Sequence, residues 1–332
     1  MLPTAYKSKL DRLETEMAIH QIKANFERKL AEELQIIRVS APLFVKERTG
    51  VNDNLNGVER VVSFDASDVK CGNLEIVQSL AKWKRIALAK YGFKTGTGLY
   101  TDMKAIRRDE VLDNLHSMFV DQWDWEKVIT KQQRTIATLK IEVEKIYKAL
   151  TSTEQSVHEL YPFLQPILPK SISFVTTQEL ETLYPSLTPK EREDEICKKY
   201  GAVFIMQIGD RLRSGEAHDG RSPDYDDWTL NGDIVVWYPT LGRALELSSM
   251  GIRVDEKALL RQLKASDCED RVKLEYHQAV LNGELPYTIG GGIGQSRVCM
   301  FLLQKAHIGE VQVSVWNDEI IEECKNANIS LL

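Results

Sequence analysis

Residues 290–297 read GGGIGQSR, and the apolar run VCMFLL follows at 298–303. Glycine carries no Cβ, so a backbone built from it approaches a flat ligand or a second backbone closely. A helix that begins at this cluster holds Arg297 near its first turn. Two familiar glycine motifs fail here. A phosphate loop needs Gly-Lys-Ser/Thr, which is missing. A dinucleotide fingerprint needs a third glycine where Arg297 stands, and an early strand–turn–helix setting. Two readings stay open: a backbone shaped for a nucleotide, or a glycine turn that packs a helix against a sheet.

Upstream of this cluster, Asp233–Tyr238 and Ala244–Met250 read as two strands around a turn containing Pro239, a hairpin. Asp233 begins one strand and Glu246 lies within the other. Carboxylates on adjacent strands can share a Mg²⁺ ion, which keeps several waters and bridges phosphates; the alternative is a pair of solvated acids. The loop Pro223–Trp228 (PDYDDW) is more acidic still, a cation pocket or an exposed loop.

Further out, Ser117–Glu126 alternates like a strand. Alternation puts Gln122, Asp124 and Glu126 on one face and Phe119, Asp121, Trp123 and Trp125 on the other. The polar face either binds a polar ligand or is a solvated edge. A strand–loop–strand brings Arg107 beside it. Leu80–Ala89 reads as a basic helix carrying Lys82 and Lys84, which leave it on different sides, so at most one points into a site.

At the amino-terminal end, Ile19, Ile22, Phe26 and Leu30 recur at helical spacing. A short strand at 36–39 follows and stops at Pro42. Turn chemistry fills 49–57, residues 127–160 return to helical spacing, and Pro162, Pro166 and Pro169 mark a connector. Ala202–Ile208 is a buried-type strand, 209–229 a polar loop, Glu256–Leu263 and Asp270–Leu281 helices, and Val311–Trp316 a late strand. Helices and strands mix without regular alternation. The expected class is α+β, a mainly antiparallel sheet flanked by helices, rather than a doubly wound parallel fold.

The 332 residues carry 43 Lys+Arg against 49 Asp+Glu, a formal charge of −6. That balance argues against a broad phosphate-backbone partner, so no nucleic acid is expected. The five scattered cysteines form no zinc spacing and read as reduced thiols. Residues 1–10 lack the apolar run of a secretion signal, and no stretch is long enough for a membrane span, so a cytoplasmic location is expected. No GxSxG motif supports a serine hydrolase.

In order, these pieces resemble the catalytic core of class II aminoacyl-tRNA synthetases. The first helix, strand and Pro42 look like that family's dimer-interface motif. Arg107 with the strand 117–126 looks like its second motif, and GGGIGQSR like its third. A closer resemblance, over essentially the whole chain, is to the ammonia-dependent asparagine synthetases. It is carried by NDNLNGVER (52–60), SLAKWKR (79–85), GLYTDMKAIR (98–107), VDQWDWE (120–126), PDYDDW (223–228), LNGDIVVW (230–237), ELSSMGIRVD (246–255) and TIGGGIGQSR (288–297). Two departures touch loops only: Gln78 stands where some members carry histidine, and the loop between Trp228 and Asn231 is short.

The resemblance implies a class II synthetase-like core over 1–332, one catalytic domain without an anticodon-binding domain, and a homodimer. It implies aspartate, ammonia and ATP as substrates, with Mg²⁺. Arg107 then bridges the aspartate β-carboxylate and the α-phosphate, since a planar guanidinium suits both. Arg107, His116, Gly292, Gly294 and Arg297 are expected to hold ATP, with Arg297 stacked on adenine. Asp233 and Glu246 would hold the metal. Lys84 is expected at the α-carboxylate, Gln122, Asp124 and Asp226 around the α-ammonium, and Ser248 or Ser249 beside the substrate. Asp53 is expected near the acyl carbon, serving ammonia; its alternatives are an Asx turn or the substrate ammonium. No cysteine sits in a nucleophile motif and the chain begins Met1-Leu2, so ammonia rather than glutamine is the expected nitrogen source. The rivals are an aspartyl- or asparaginyl-tRNA synthetase core and a non-catalytic synthetase paralogue.

Overall fold

The computed structural model describes residue 3 and residues 6–55, 59–70 and 72–332. The end of the expected turn region at Asn56 and Gly57, and Cys71, lie outside them.

Helix α1 (Arg12–Leu34) begins where Asp11 and Glu14 form a reciprocal capping box, and ends at Gln35 in the left-handed conformation. Its buried stripe, Ala18, Ile19, Ile22, Phe26, Leu30 and Leu34, faces the chain's own core. Strand β1 (Ile36–Arg38) follows. Strands β2 (Phe44–Lys46), β3 (Ser63–Phe64) and β4 (Leu74–Ile76) form a small sheet in the order β2-β4-β3. Helix α2 (Ala81–Tyr91) starts without a side-chain cap and ends at Gly92.

The long strands come next. They are β5 (Gly98–Ile106) and β6 (Phe119–Val128), and after helix α3 (Ile136–Leu160), β7 (Ser173–Thr176). Helices α4 (Thr177–Leu183) and α5 (Pro189–Tyr200) lead to β8 (Ala202–Met206), β9 (Asp226–Tyr238) and β10 (Arg243–Arg253). The chain continues through α6 (Glu256–Ala265), α7 (Glu275–Leu281), β11 (Thr288–Gly294), α8 (Gln295–Leu302) and α9 (Asp318–Asn326). Among the described residues the main sheet has eight strands in the order β1-β5-β6-β11-β10-β9-β8-β7. Only its outermost pairs, β1 with β5 and β7 with β8, are parallel. The class is α+β, as expected.

Several expectations change. The glycine cluster is a strand, not a turn: β11 pairs with both β10 and β6. A Cβ on Gly290 would stand 2.0 Å from Glu126 Oε2, and one on Gly292 2.4 Å from Gln122 Oε1. The glycines make room for the polar side chains of the neighbouring strand. β6 continues to Val128 before α3 begins, and β9 starts at Asp226, inside the expected loop. The expected strand 311–316 does not form. Val313 and Val315 are exposed, Trp316 meets His307 in a T-shaped contact, and Gln312 Nε2 donates to Ser296 Oγ at 2.9 Å, but the segment forms no strand.

Pairing register assigns each side chain to a face. Thr101, Asp124, Gly292, Ser249 and Asp233 sit opposite one another in one row across β5, β6, β11, β10 and β9. In the next row Trp123, Ile293, Ser248 and Ile234 face the opposite way, and the three apolar members join the core under α1, α3 and α8. Between Glu246, paired with Val235, and Ser248, paired with Ile234, the register of β10 shifts by one residue. This bulge lets Glu246 and Ser249, three positions apart, face the same side.

Candidate active site

The polar face of the sheet floors a cavity of about 590 Å³. Arg107 reaches its wall because β5 ends at Ile106 and the Arg107 amide donates to Met118 O at the start of β6. Its Nε is buried with no hydrogen-bond partner among the described residues. A desolvated guanidinium N–H left open is costly unless something arrives to accept it.

Beside it, α2 delivers Lys84. Its ammonium is fully buried and donates to Asp124 Oδ1, to Trp125 O at 3.0 Å and to Gly291 O at 3.1 Å. Glu126 Oε2 lies 3.8 Å away. Burial pushes the Lys84 ammonium down and the Asp124 carboxyl up, each against the pull of the other. Asp124 Oδ2 is buried and has no hydrogen-bond partner among the described residues, so the pair still has an acceptor to offer.

Asp226 is held by Arg253, whose other arm grips Glu126 at 2.7 and 3.0 Å. Thr288 Oγ1 donates to the same Glu126 at 2.6 Å. Arg253 is fully buried over the Tyr225 ring, 5.7 Å from its centroid. Glu126 is driven below the usual carboxylate range, the Arg253 and Lys84 charges outweighing burial. Neither Arg253 nor its bracing of the acidic face was legible beforehand.

Asp53 lies in a buried loop. Asn52 Oδ1 accepts from the amides of Asp53 at 3.0 Å and Gln78 at 2.9 Å, and Gln78 Nε2 donates to Asp53 O at 3.0 Å. The carboxylate accepts from the Leu55 amide at 3.1 Å, an Asx-type contact. Burial raises its pKa, with Lys82 the strongest opposing charge.

The adjacent acids are Asp233 and Glu246. Arg221 donates to Asp233 Oδ1 at 2.7 Å and to Ser249 Oγ at 2.5 Å. Burial, with the Glu246 charge adding to it, raises Asp233 to about 6 despite Arg221. Glu246 is lowered, chiefly by the Arg297 and Lys190 charges against its burial. Two carboxylates that repel one another and borrow a guanidinium fit a divalent cation. Among the described residues no three or more His, Cys, Asp or Glu side chains form a metal cage. An ion held by this pair would take its other ligands from water and phosphate.

At the far end, Arg297 in the first turn of α8 donates to Glu246 O at 3.2 Å and pairs with its carboxylate at 3.4 Å. His116 also faces the cavity, its ring 2.8 Å from Asp113.

The structure thus brings Asp53, Lys84, Arg107, His116, Gln122 and Asp124 to one cavity, and with them Asp226, Glu246, Ser249, Gly292, Gly294 and Arg297. Asp233 stands behind Arg221 in the same row of the sheet. Ser248 is a correction: it lies in the row that faces the core, opposite Ile234 and Ile293, so of the two serines Ser249 is the one at the cavity. Of the two lysines of α2, Lys84 lines the cavity and Lys82 does not, in line with the expectation that at most one would. Both lysines of α2 are buried, Lys82 on Asp224 at 3.2 Å.

Comparison with solved structures gives the same architecture. The asparaginyl-tRNA synthetase of Pyrococcus horikoshii complexed with asparaginyl-adenylate superposes with a TM-score of 0.66 at 13% identity, over 90% of this chain and 68% of that one. The aspartyl-tRNA synthetase of Entamoeba histolytica gives 0.59 at 15% identity, over 92% and 59%. The fold is that of the class II synthetase core. Sequence relatives are far closer. The aspartate–ammonia ligase of Ruminiclostridium cellulolyticum is 61% identical over 330 residues, 99% of this chain and 98% of its own. That of Fusobacterium nucleatum is 60% identical over 328 residues, 99% and 100%. A family model described as aspartate-ammonia ligase matches residues 13–328. The chain belongs to the aspartate–ammonia ligase family.

Proposed function

We propose that this chain makes asparagine from aspartate, ammonia and ATP through a β-aspartyl-adenylate, with release of pyrophosphate and AMP. The observation that carries the reading is Arg107. Its half-exposed guanidinium, with a buried Nε that has no hydrogen-bond partner among the described residues, lines one cavity with the Lys84–Asp124 pair and Arg297. In the first half-reaction an aspartate β-carboxylate oxygen attacks the α-phosphorus, and the bond to pyrophosphate breaks. Arg107 bridges the two anions, which favours the in-line approach and spreads the developing charge. Arg297 offers its guanidinium plane to adenine, with Gly292, Gly294 and His116 beside the nucleotide. Lys84, Gln122 and Asp124 hold the aspartate head group, with Asp226, braced by Arg253, and Ser249 around it. Asp233 and Glu246 would hold Mg²⁺, which when bound neutralises phosphate charge.

In the second half-reaction Asp53 takes a proton from ammonium. The freed nitrogen lone pair attacks the acyl carbon, and the acyl C–O bond breaks with its electron pair leaving on AMP. The amide nitrogen then sheds its extra proton to solvent. One catalytic domain, a homodimer, a cytoplasmic site of action and no nucleic-acid partner complete the proposal. Among the described residues no helix is long and apolar enough to cross a membrane.

The test is direct. Protein incubated with ATP, Mg²⁺, aspartate and ammonium should yield asparagine and AMP in equal amounts. Glutamine in ammonia-free buffer should not replace ammonium. Asp53→Asn should keep aspartate-dependent exchange of pyrophosphate into ATP yet lose asparagine, and hydroxylamine, neutral at pH 7, should restore product as the hydroxamate. Loss of exchange along with amidation would move Asp53 to substrate binding.

A further inference from the structure

Gln312 has no part in the roles assigned so far, yet it is only 5% exposed and lines the active-site cavity. It follows the 3₁₀ turn Ile308–Glu310 in the stretch that forms no strand. Two tethers fix this stretch against the connection between β5 and β6. The Ile308 amide donates to Asn114 O at 2.9 Å, and Ser314 Oγ lies 2.7 Å from Ser117 Oγ. The Gln312 side chain reaches Ser296, the neighbour of Arg297 in the first turn of α8.

The neighbours decide which way its amide faces. Asp121 Oδ2 accepts from Lys23 Nζ at 3.0 Å, and Oδ1 accepts from the Ser296 amide at 3.1 Å and from Ser296 Oγ at 2.6 Å. A carboxylate paired with an ammonium only accepts, and the single hydroxyl proton of Ser296 is spent on it. The Gln312 atom that meets both groups, 2.9 Å from Ser296 Oγ and 3.4 Å from Asp121 Oδ1, is therefore its nitrogen. The amide oxygen is left over. It is buried and has no hydrogen-bond partner among the described residues. A buried acceptor left open is costly unless a ligand supplies the donor.

The same end of the cavity narrows the choice of donor. Leu115, Val120 and Ile308 wall it with apolar surface, and Arg297 stands beside them. Such a slot suits a flat base that brings one donor on its edge. Adenine carries an exocyclic amine at C6, a donor, where guanine and hypoxanthine carry a carbonyl oxygen, an acceptor. We propose that Gln312 Oε1 accepts from the adenine amine and selects adenosine over 6-oxopurine nucleotides. The inference rests on the reading of this cavity as an ATP site with Arg297 at the base. An adenine amine satisfies the open oxygen. A 6-oxopurine sets a second acceptor against it, and both oxygens stay desolvated and unpaired.

The experiment compares bases. Aspartate-dependent pyrophosphate exchange is measured with ATP, with ITP and with purine-riboside triphosphate, which has only hydrogen at C6. Calorimetric titration with AMP and IMP makes the same comparison without turnover. The parent should prefer ATP over ITP by at least about 100-fold in kcat/KM, and over the purine riboside by about tenfold. Gln312→Met, close in volume and without the acceptor, should bring the ATP-to-ITP ratio down to about tenfold or less, chiefly through KM. Gln312→Leu should do the same if the Met variant folds poorly by circular dichroism. A loss shared equally by every nucleotide, with the ratio unmoved, would mark a structural role and overturn the inference. So would a parent that uses ITP as readily as ATP. If the parent shows no exchange with any nucleotide, the ligase reading fails first, and the titration with AMP and IMP decides the base preference by itself.

Discussion

Arg107 carries the sharpest expectation for a single side chain. Its guanidinium offers two parallel donors to two anions at once, and an ammonium offers one point of charge. Arg107→Lys should therefore lower aspartate-dependent pyrophosphate exchange by at least about 100-fold, the scale of losing an oriented donor to a transition state, while the melting temperature stays close to the parent's. Near-parental exchange in the Lys variant would remove Arg107 from the phosphate bridge. The face bearing Gln122 and Asp124 was legible because alternation in a strand is rigid. Ser248 and Ser249 were not separable, because a bulge leaves no mark in the residues it displaces. Arg253 was hidden for another reason: its partners lie 127 residues before it and 27 residues before it, so only the folded sheet joins them.

Two elements have consequences of their own. β11 is built of glycine because its neighbour's side chains occupy the space over it. Gly290→Ala should cost about 1–3 kcal/mol by overpacking and displace Glu126 from Arg253. Urea unfolding would give the first effect and a raised KM for aspartate the second; an alanine variant as stable and as tight as the parent would contradict the packing described. The short 3₁₀ turn Ile308–Glu310 is capped by His307, whose Nδ1 accepts from the Gly309 amide at 3.0 Å. Burial lowers this imidazole to about 4. The unfolded chain then binds more protons than the folded one, so this contribution to stability is complete above pH 6.5. It should be lost as pH falls toward 4, roughly 2 kcal/mol of it between pH 6.5 and 5. Urea midpoints at pH 7 and pH 5 should differ less in His307→Gln than in the parent, and equal differences would exclude His307 as the cause. The glycine strand and the missing late strand escaped sequence reading for a common reason. Period two shows that a segment can be extended and says nothing about whether a neighbour is free to pair with it.

For the molecule as a whole, the antiparallel α+β class was legible from the order of elements, and so was the grouping of distant motifs at one site. The first helix and strand up to Pro42, likened above to a dimer-interface motif, divide between core and surface. Phe26, Leu30, Leu34 and Ile36 are buried in the chain's own core, while Ile37, Leu43 and Phe44 remain 62%, 51% and 46% exposed along the β1 edge and the small sheet. Helical spacing marks an apolar stripe without telling which body covers it. These exposed side chains are the surface on which the homodimer proposal rests. Light scattering at micromolar concentration should give twice the 37.9 kDa chain mass, and a single-chain mass there would sink the dimer. The bulge in β10 has a consequence for the chain as an inherited object. Glu246 and Ser249 are an odd number of steps apart, and a regular strand puts such residues on opposite sides. Substituting Leu247 by another apolar residue alters packing alone, but removing it makes the separation even while restoring regular alternation. Ser249 would then stand two regular steps from Glu246 and still share its face, so the extra residue and the bulge cancel one another. Through this stretch the lineage can change its count only together with its bulge.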